Sequence, residues 1–177
     1  KFHVMSATGG ECFASLDSAL GGGSLCRGIP EAMSRLIESG KPDLVIISGA
    51  WTLYAKRFGM NRVVANLQQT AQTLRSRGIP LLVLGPTIEY PGSLPSMLLR
   101  LHIRGATPVS DQLVMRSIFD LDAQMKAELA SQPGLTYLSI LEAACPQKQC
   151  PVTLPDGKLL VLDNRHLTLE GSRYMAN

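Results

Sequence analysis

The chain has 177 residues, 45% of them apolar and 18% charged, with aromatic residues at 5% and a formal net charge of +3. That length and balance suit one globular domain over residues 1–177 with a full core, not a disordered segment. Its dispersed Lys and Arg and its few aromatic residues offer neither a basic stripe nor a base-stacking platform, so nucleic acid is not expected as a partner. No apolar run approaches the roughly 18 residues of a membrane-spanning helix.

In chain order, short apolar runs alternate with amphipathic segments. Residues 2–7 (FHVMSA) read as a first buried strand, followed by a Gly-rich loop, DSALGGGSLC, that ends at Cys26. Residues 29–39 have helical spacing, and residues 43–50 (DLVIISGA) read as a second strand with Trp51 just beyond it. A helix is expected over 62–77, a strand over 80–86 (PLLVLGP), and a helix over 110–131, with Ser110 as N-cap and Pro133-Gly134 beyond its end. Residues 135–140 (LTYLSI) read as a strand, and KLLVL, residues 158–162, as the last one. Residues 89–109, broken by Pro and Gly, resist assignment and read as a lid or a substrate-facing insertion. Such alternation implies a parallel sheet flanked by helices, with ligands at the carboxyl ends of the strands.

Cysteines stand at 12, 26, 145 and 150, and sequence alone permits three pairings. The short ring from Cys145 to Cys150 reads as a local staple, leaving Cys12 with Cys26. Zinc is the rival reading, but this is not a usual finger spacing, and His and carboxylates form no cluster at ligand spacing. Two disulfides imply an oxidising compartment. The chain starts at Lys1 and stops at Asn177 within a helix-like segment, so it reads as an excerpt of a longer protein, with any signal peptide or membrane anchor lying outside it.

Chemistry concentrates in LLVLDNRHLTLEGS, residues 159–172, where Asp163 stands three residues before His166. An aspartate accepting from one ring nitrogen fixes the imidazole tautomer, so that the other nitrogen can remove a proton. Thr168 offers an N-cap for the helix that follows. Taken alone, Asp-x-x-His fits equally a surface pair that caps a helix.

The block LDNRHLTLEGS, following CPQKQCPVTLPDGKLLV, resembles the last block of SGNH (GDSL-like) hydrolases. It resembles more closely that of the periplasmic SGNH domains fused to type 3 membrane acyltransferases. There, a short Cys-Pro-x-x-x-Cys ring and an Asp-Gly turn precede a strand ending in Asp-x-x-His-Leu-Ser/Thr and a small-residue helix start. Cys145, Cys150, Asp156, Gly157, Asp163, His166, Leu167, Thr168, Gly171 and Ser172 occupy those places. Upstream, CRGIPEAMSRLIESGKPDLVIISGAWTLY is similar to the segment in which a cysteine starts a helix and a strand ends in Trp and Tyr.

The resemblance implies a three-layer α/β/α sandwich around a central parallel sheet, the flavodoxin-like SGNH fold. It implies His166 as base and Asp163 as orienting acid, with Gly10 and Trp51 in the places of the oxyanion donors. It also sets the chain's departures. No Gly-Asp-Ser exists here, and the alignment puts the nucleophilic serine upstream of Lys1; Ser6, Ser18 and Ser48 read as packing or loop residues. The Gly-x-Asn-Asp block stands as Gly49-Ala50-Trp51-Thr52. Trp51 replaces the asparagine donor only if its indole N–H points into the site, and a core aromatic is the other reading. Tyr54, Lys56 and Arg57 follow in a loop at the strand end. His3 and His102 read as structural or solvated.

The function implied is an extracytoplasmic O-acetyltransferase, periplasmic or extracellular and tethered to a membrane domain. It would act through a serine acyl-enzyme without a cofactor. Its partners would be an envelope polysaccharide acceptor, such as lipopolysaccharide O-antigen or peptidoglycan, and an acyl donor delivered by the membrane domain of the same parent. A secreted carbohydrate esterase with the same site, and an inactive glycan-binding domain, are the alternatives.

Overall fold

The computed structural model describes residues 13–14, 16, 19–20, 24–107 and 113–176. The expected strand over 2–7, Ser6, Ser18, His3, Gly10, Cys12 and the proposed cap Ser110 lie outside them. The chain forms two compact units, Lys1–Gly85 with Ala123–Leu138 and Pro86–Asp122 with Ser139–Asn177, so each unit is built from two separate stretches of sequence.

The first unit holds a short antiparallel pair, β1 (Phe13–Ala14) and β2 (Ala19–Leu20), then helix α1 (Ser24–Gly40). Strand β3 (Val45–Ile47) is followed by α2 (Trp51–Phe58), α3 (Met60–Ser76) and strand β4 (Leu81–Leu84). Among the described residues, strand β5 (Leu135–Leu138) joins a parallel sheet of order β3-β4-β5, with Val45 opposite Leu81 and Leu81 opposite Leu135. The α/β class expected from the alternation is therefore present.

Helix α3 forms because its apolar residues recur at helical spacing: Val63, Leu67, Ala71 and Leu74 are fully buried and fall on one face. Gly59, at φ 82°, separates α2 from α3, a conformation that glycine adopts without the Cβ clash of other residues. Two boundaries differ from expectation. Helix α1 starts at Ser24 and carries Pro30 inside it, where a start beside Pro30 was expected. Its opening stretch includes Cys26, which is buried and disulfide-bonded and ties the turn ahead of the proline to the fold. Tyr54, Lys56 and Arg57 lie in α2, not in a loop. Tyr54 meets Trp51 edge-on and Phe13 at a tilt, and burial of this aromatic cluster favours continuing the chain as helix.

The second unit contains α4 (Leu94–Ile103), the start of α5 (Ser117–Leu129), α6 (Ile140–Ala144), a 3-10 turn (Pro146–Lys148) and α7 (Leu169–Ala176). Its core gathers Ile88, Tyr90, Leu94, Ile118, Leu141, Leu160 and Val161 around the Cys145–Cys150 disulfide. Ser139 caps α6 by accepting from the Glu142 N–H, while its hydroxyl donates to buried Asp122 at 2.6 Å. Residues 89–109 are not an unbroken irregular insertion, since α4 lies within them. Pro95 falls in the first helical turn, where its missing N–H costs nothing.

The expected last strand, 158–162, is also corrected. Its backbone pairs with its own flanks through isolated antiparallel bridges, Thr153 with Leu159 and Val161 with Leu167. The Leu160 N–H donates to Val152 O and its carbonyl accepts from the Thr168 N–H, so these groups are satisfied locally.

Candidate active site

Residues 160–168 fold back on themselves. The Leu162 N–H donates to His166 O at 2.7 Å and the Thr168 N–H to Leu160 O at 3.0 Å, closing a tight loop around Asp163 and His166. The loop then enters α7 through Thr168, whose hydroxyl oxygen accepts from the Gly171 N–H at 2.8 Å while donating to Leu159 O. This is the N-cap expected of Thr168. Glycine at 171 has a steric cause, since a Cβ there would overlap the Leu160 carbonyl oxygen.

Within the loop, Asp163 uses both carboxylate oxygens. Oδ1 accepts from the backbone N–H groups of Arg165 and His166, each at 2.9 Å, and Oδ2 accepts from His166 Nδ1 at 2.7 Å. The His166 hydrogen bond, followed by the two backbone donors, holds the carboxyl well below the usual aspartate range, so it is ionised at neutral pH. A carboxylate can only accept, so Nδ1 carries the proton and Nε2 is left with a free lone pair. The His166 side chain is 69% exposed, which leaves Nε2 open to an approaching hydroxyl. The arrangement can take a proton from a nucleophile and stabilise the resulting imidazolium.

A second stretch, unanticipated from sequence, grips this loop. The Tyr90 N–H donates to Asn164 O at 2.8 Å, and the Leu94 N–H, one of the free donors at the start of α4, donates to Asp163 O at 2.9 Å. Arg165 stands 3.7 Å from Glu89, whose side chain is mostly buried. Tyr90 itself is buried, its phenol pushed up to about 12 by desolvation. The only sequence signal for this was a helix start hidden in Ser-Leu-Pro-Ser.

Of the two readings of Trp51, oxyanion donor or core aromatic, its surroundings fit the second. It is 1% exposed and its one N–H donates to the Leu84 carbonyl at 2.8 Å, so the donor is spent on the end of β4. A Cβ on Gly49 would press on the Tyr54 ring, so that glycine serves the aromatic packing. Ser48 is exposed just beyond β3, and His102 is exposed on α4. Cys145 and Cys150 are bonded as the spacing suggested. Cys26 is also disulfide-bonded, while its expected partner Cys12 lies outside the described residues. A depression of about 740 Å³ lined by Glu38, Lys41, Asp43 and Arg77 lies at the amino ends of β3 and β4. It is at the wrong end of a parallel sheet for the chemistry such folds perform.

A mixed parallel α/β fold and a hydrogen-bonded Asp-x-x-His ahead of the final helix are together the features of an SGNH-like domain. The family model described as SGNH domain (fused to AT3 domains) matches residues 1–177, and the chain belongs to that family. Among solved structures, the periplasmic domain of the lipopolysaccharide acetyltransferase of Salmonella ser. Paratyphi A superposes with a TM-score of 0.66 at 17% sequence identity. The superposition covers 86% of this chain and 60% of that one, so this chain spans well under the neighbour's full length. The curated proteins include no match to this chain.

Proposed function

We propose that this chain is a single extracytoplasmic domain, 1–177, of a membrane O-acyltransferase, and that Asp163 and His166 serve its acyl-transfer site. The observation that carries the reading is the 2.7 Å bond between His166 Nδ1 and Asp163 Oδ2, in a chain belonging to a family fused to AT3 domains. His166 Nε2 takes the proton of a serine hydroxyl as its oxygen attacks the acyl carbonyl carbon. The bond to the donor's leaving group then breaks and His166 returns the proton to that group. In the second half His166 deprotonates a glycan hydroxyl, which attacks the acyl-serine; the ester passes to the glycan and the proton to the serine. Asp163 stays ionised throughout, stabilising each imidazolium. The acceptor in this reading is an envelope polysaccharide and the acyl group acetyl, supported by the lipopolysaccharide acetyltransferase domain that shares the fold. No cofactor takes part.

The test is fluorophosphonate labelling of the full-length protein, with the labelled serine mapped by peptide mass spectrometry. Labelling that is lost in His166→Ala supports the triad. Absence of any labelled serine in folded protein overturns the reading in favour of a glycan-binding domain. Release of free acetate with no acetylated glycan, in a labelled protein, assigns hydrolysis in place of transfer.

A further inference from the structure

Helix α4 has two apolar sides. Leu94 is fully buried, and Met97, Leu98 and Leu101 pack on the core of their unit. On the opposite side Leu99 is 59% and Ile103 74% exposed, two of the largest solvent-facing apolar side chains among the described residues. They lie four residues apart, and so one above the other on the helix. Arg100, His102 and Arg104 are also exposed. At about 100° per residue, Arg100 and Arg104 fall on one flank of the Leu99–Ile103 strip and His102 on the other. Residues 94–104 contain no Asp or Glu. An apolar strip flanked by cations is the pattern of a helix lying in the plane of an anionic interface, where apolar tips enter the acyl boundary and arginines meet phosphates.

We propose that this outer face of α4 docks on a bilayer containing anionic phospholipid. The charge fixes the choice of occupant. A second copy of the same face would bring Arg100 and Arg104 against like charge, whereas an anionic surface neutralises them. A strip of this size gives weak, reversible binding by itself, measurable at high vesicle concentration, and a second signal makes it stable. Fusion of the family to AT3 domains supports a second one, because a tether raises the effective concentration of the helix at the surface. Docking would also orient the catalytic loop. Leu94, the first residue of α4, donates its N–H to Asp163 O, so the loop sits at one end of a helix on the order of 15 Å long. A helix lying flat on the surface carries that end along it.

The test is flotation of the 177-residue chain with vesicles of phosphatidylethanolamine and phosphatidylglycerol, against vesicles of phosphatidylcholine alone. Binding is expected only to the phosphatidylglycerol vesicles and should fall with added salt. The double variant Arg100→Gln/Arg104→Gln should lower the partition coefficient roughly thirtyfold, and Leu99→Ser/Ile103→Ser should abolish it. All four positions are exposed, and an unchanged circular dichroism spectrum checks that each variant folds. Salt and lipid dependence of the unaltered chain provide a readout that needs no variant. Equal binding to both vesicle types, no binding to either, or indifference to the arginine substitutions overturns the proposal. Self-association that Leu99→Ser/Ile103→Ser removes would overturn it by assigning the face to a second copy.

Discussion

The Leu94 N–H points at the carbonyl of Asp163, 2.9 Å away, so the first residue of one helix fixes the backbone of the residue that orients His166. Asp163 is thereby held at three of its oxygens: both carboxylate oxygens by His166 and two backbone donors, and its carbonyl by α4. Such a carboxylate is set in place before any substrate arrives, which is the condition for electrostatic stabilisation without reorganisation.

Asp163→Asn keeps an oxygen for the Arg165 and His166 N–H groups but offers Nδ1 either an amide donor or a weaker acceptor, favouring the wrong tautomer. The acyl-transfer rate of the full-length protein should fall by roughly 10,000-fold, far more than the lowered melting temperature accounts for. Initial-rate measurement beside a thermal melt separates the two. A small loss of rate would remove Asp163 from the mechanism.

The pH dependence follows from the depressed value of Asp163. A free aspartate is half protonated at about 3.9; the folded value lies lower. The stability contributed by the ionised form is fully present above the unfolded value and is lost as pH falls through the lower folded value. Carbon-13 NMR of the Asp163 carboxyl should show it still ionised at about pH 3.9, and titration there at the free-residue value would refute the three-donor geometry.

Thr168→Val removes the oxygen that accepts from the Gly171 N–H and should cost about 1 kcal/mol of stability in denaturant unfolding. Thr168→Ser should restore most of it, since the hydroxyl and not the methyl forms the cap.

Gly171→Ala places a methyl against the Leu160 carbonyl oxygen. The strain should cost about 1–3 kcal/mol. Because Leu160 also receives the Thr168 N–H, the variant should broaden or shift the His166 ring resonances as well. Unchanged resonances would mean that α7 yields without moving the loop.

Trp51→Phe leaves the Leu84 carbonyl without its indole partner and should destabilise the protein by about 1–3 kcal/mol. The rate per folded molecule should hold. A specific rate loss at full stability would return the oxyanion role to the indole.

What sequence could convey depended on whether the decisive interaction was local. Helix α3 and strands β4 and β5 were legible because their apolar periodicity and flanking Gly and Pro are local signals. The Asp163–His166 pair was legible because three residues of separation suffice for its geometry. Helix α4 was hidden by Pro91, Gly92 and Pro95, which look like breakers until Pro95 is seen to occupy a first turn. KLLVL had strand composition, but its hydrogen bonds go to residues 152, 154, 166 and 168, a choice no propensity records. For Trp51 the sequence fixes the donor count at one; only packing reveals that Leu84 takes it.

The division of each unit into two stretches of sequence bears on how the chain comes to be folded. Leu81 pairs with Leu135, and everything between them, α4 included, is synthesised before the third strand of the sheet exists. Strand β4 must therefore wait with one edge unpaired, a state open to misplaced strand pairing. Closure of that long loop is slow compared with local helix formation. A ribosome-stalled or truncated chain ending before residue 135 would present that edge, making the interval before β5 emerges the point at which a chaperone has most to protect.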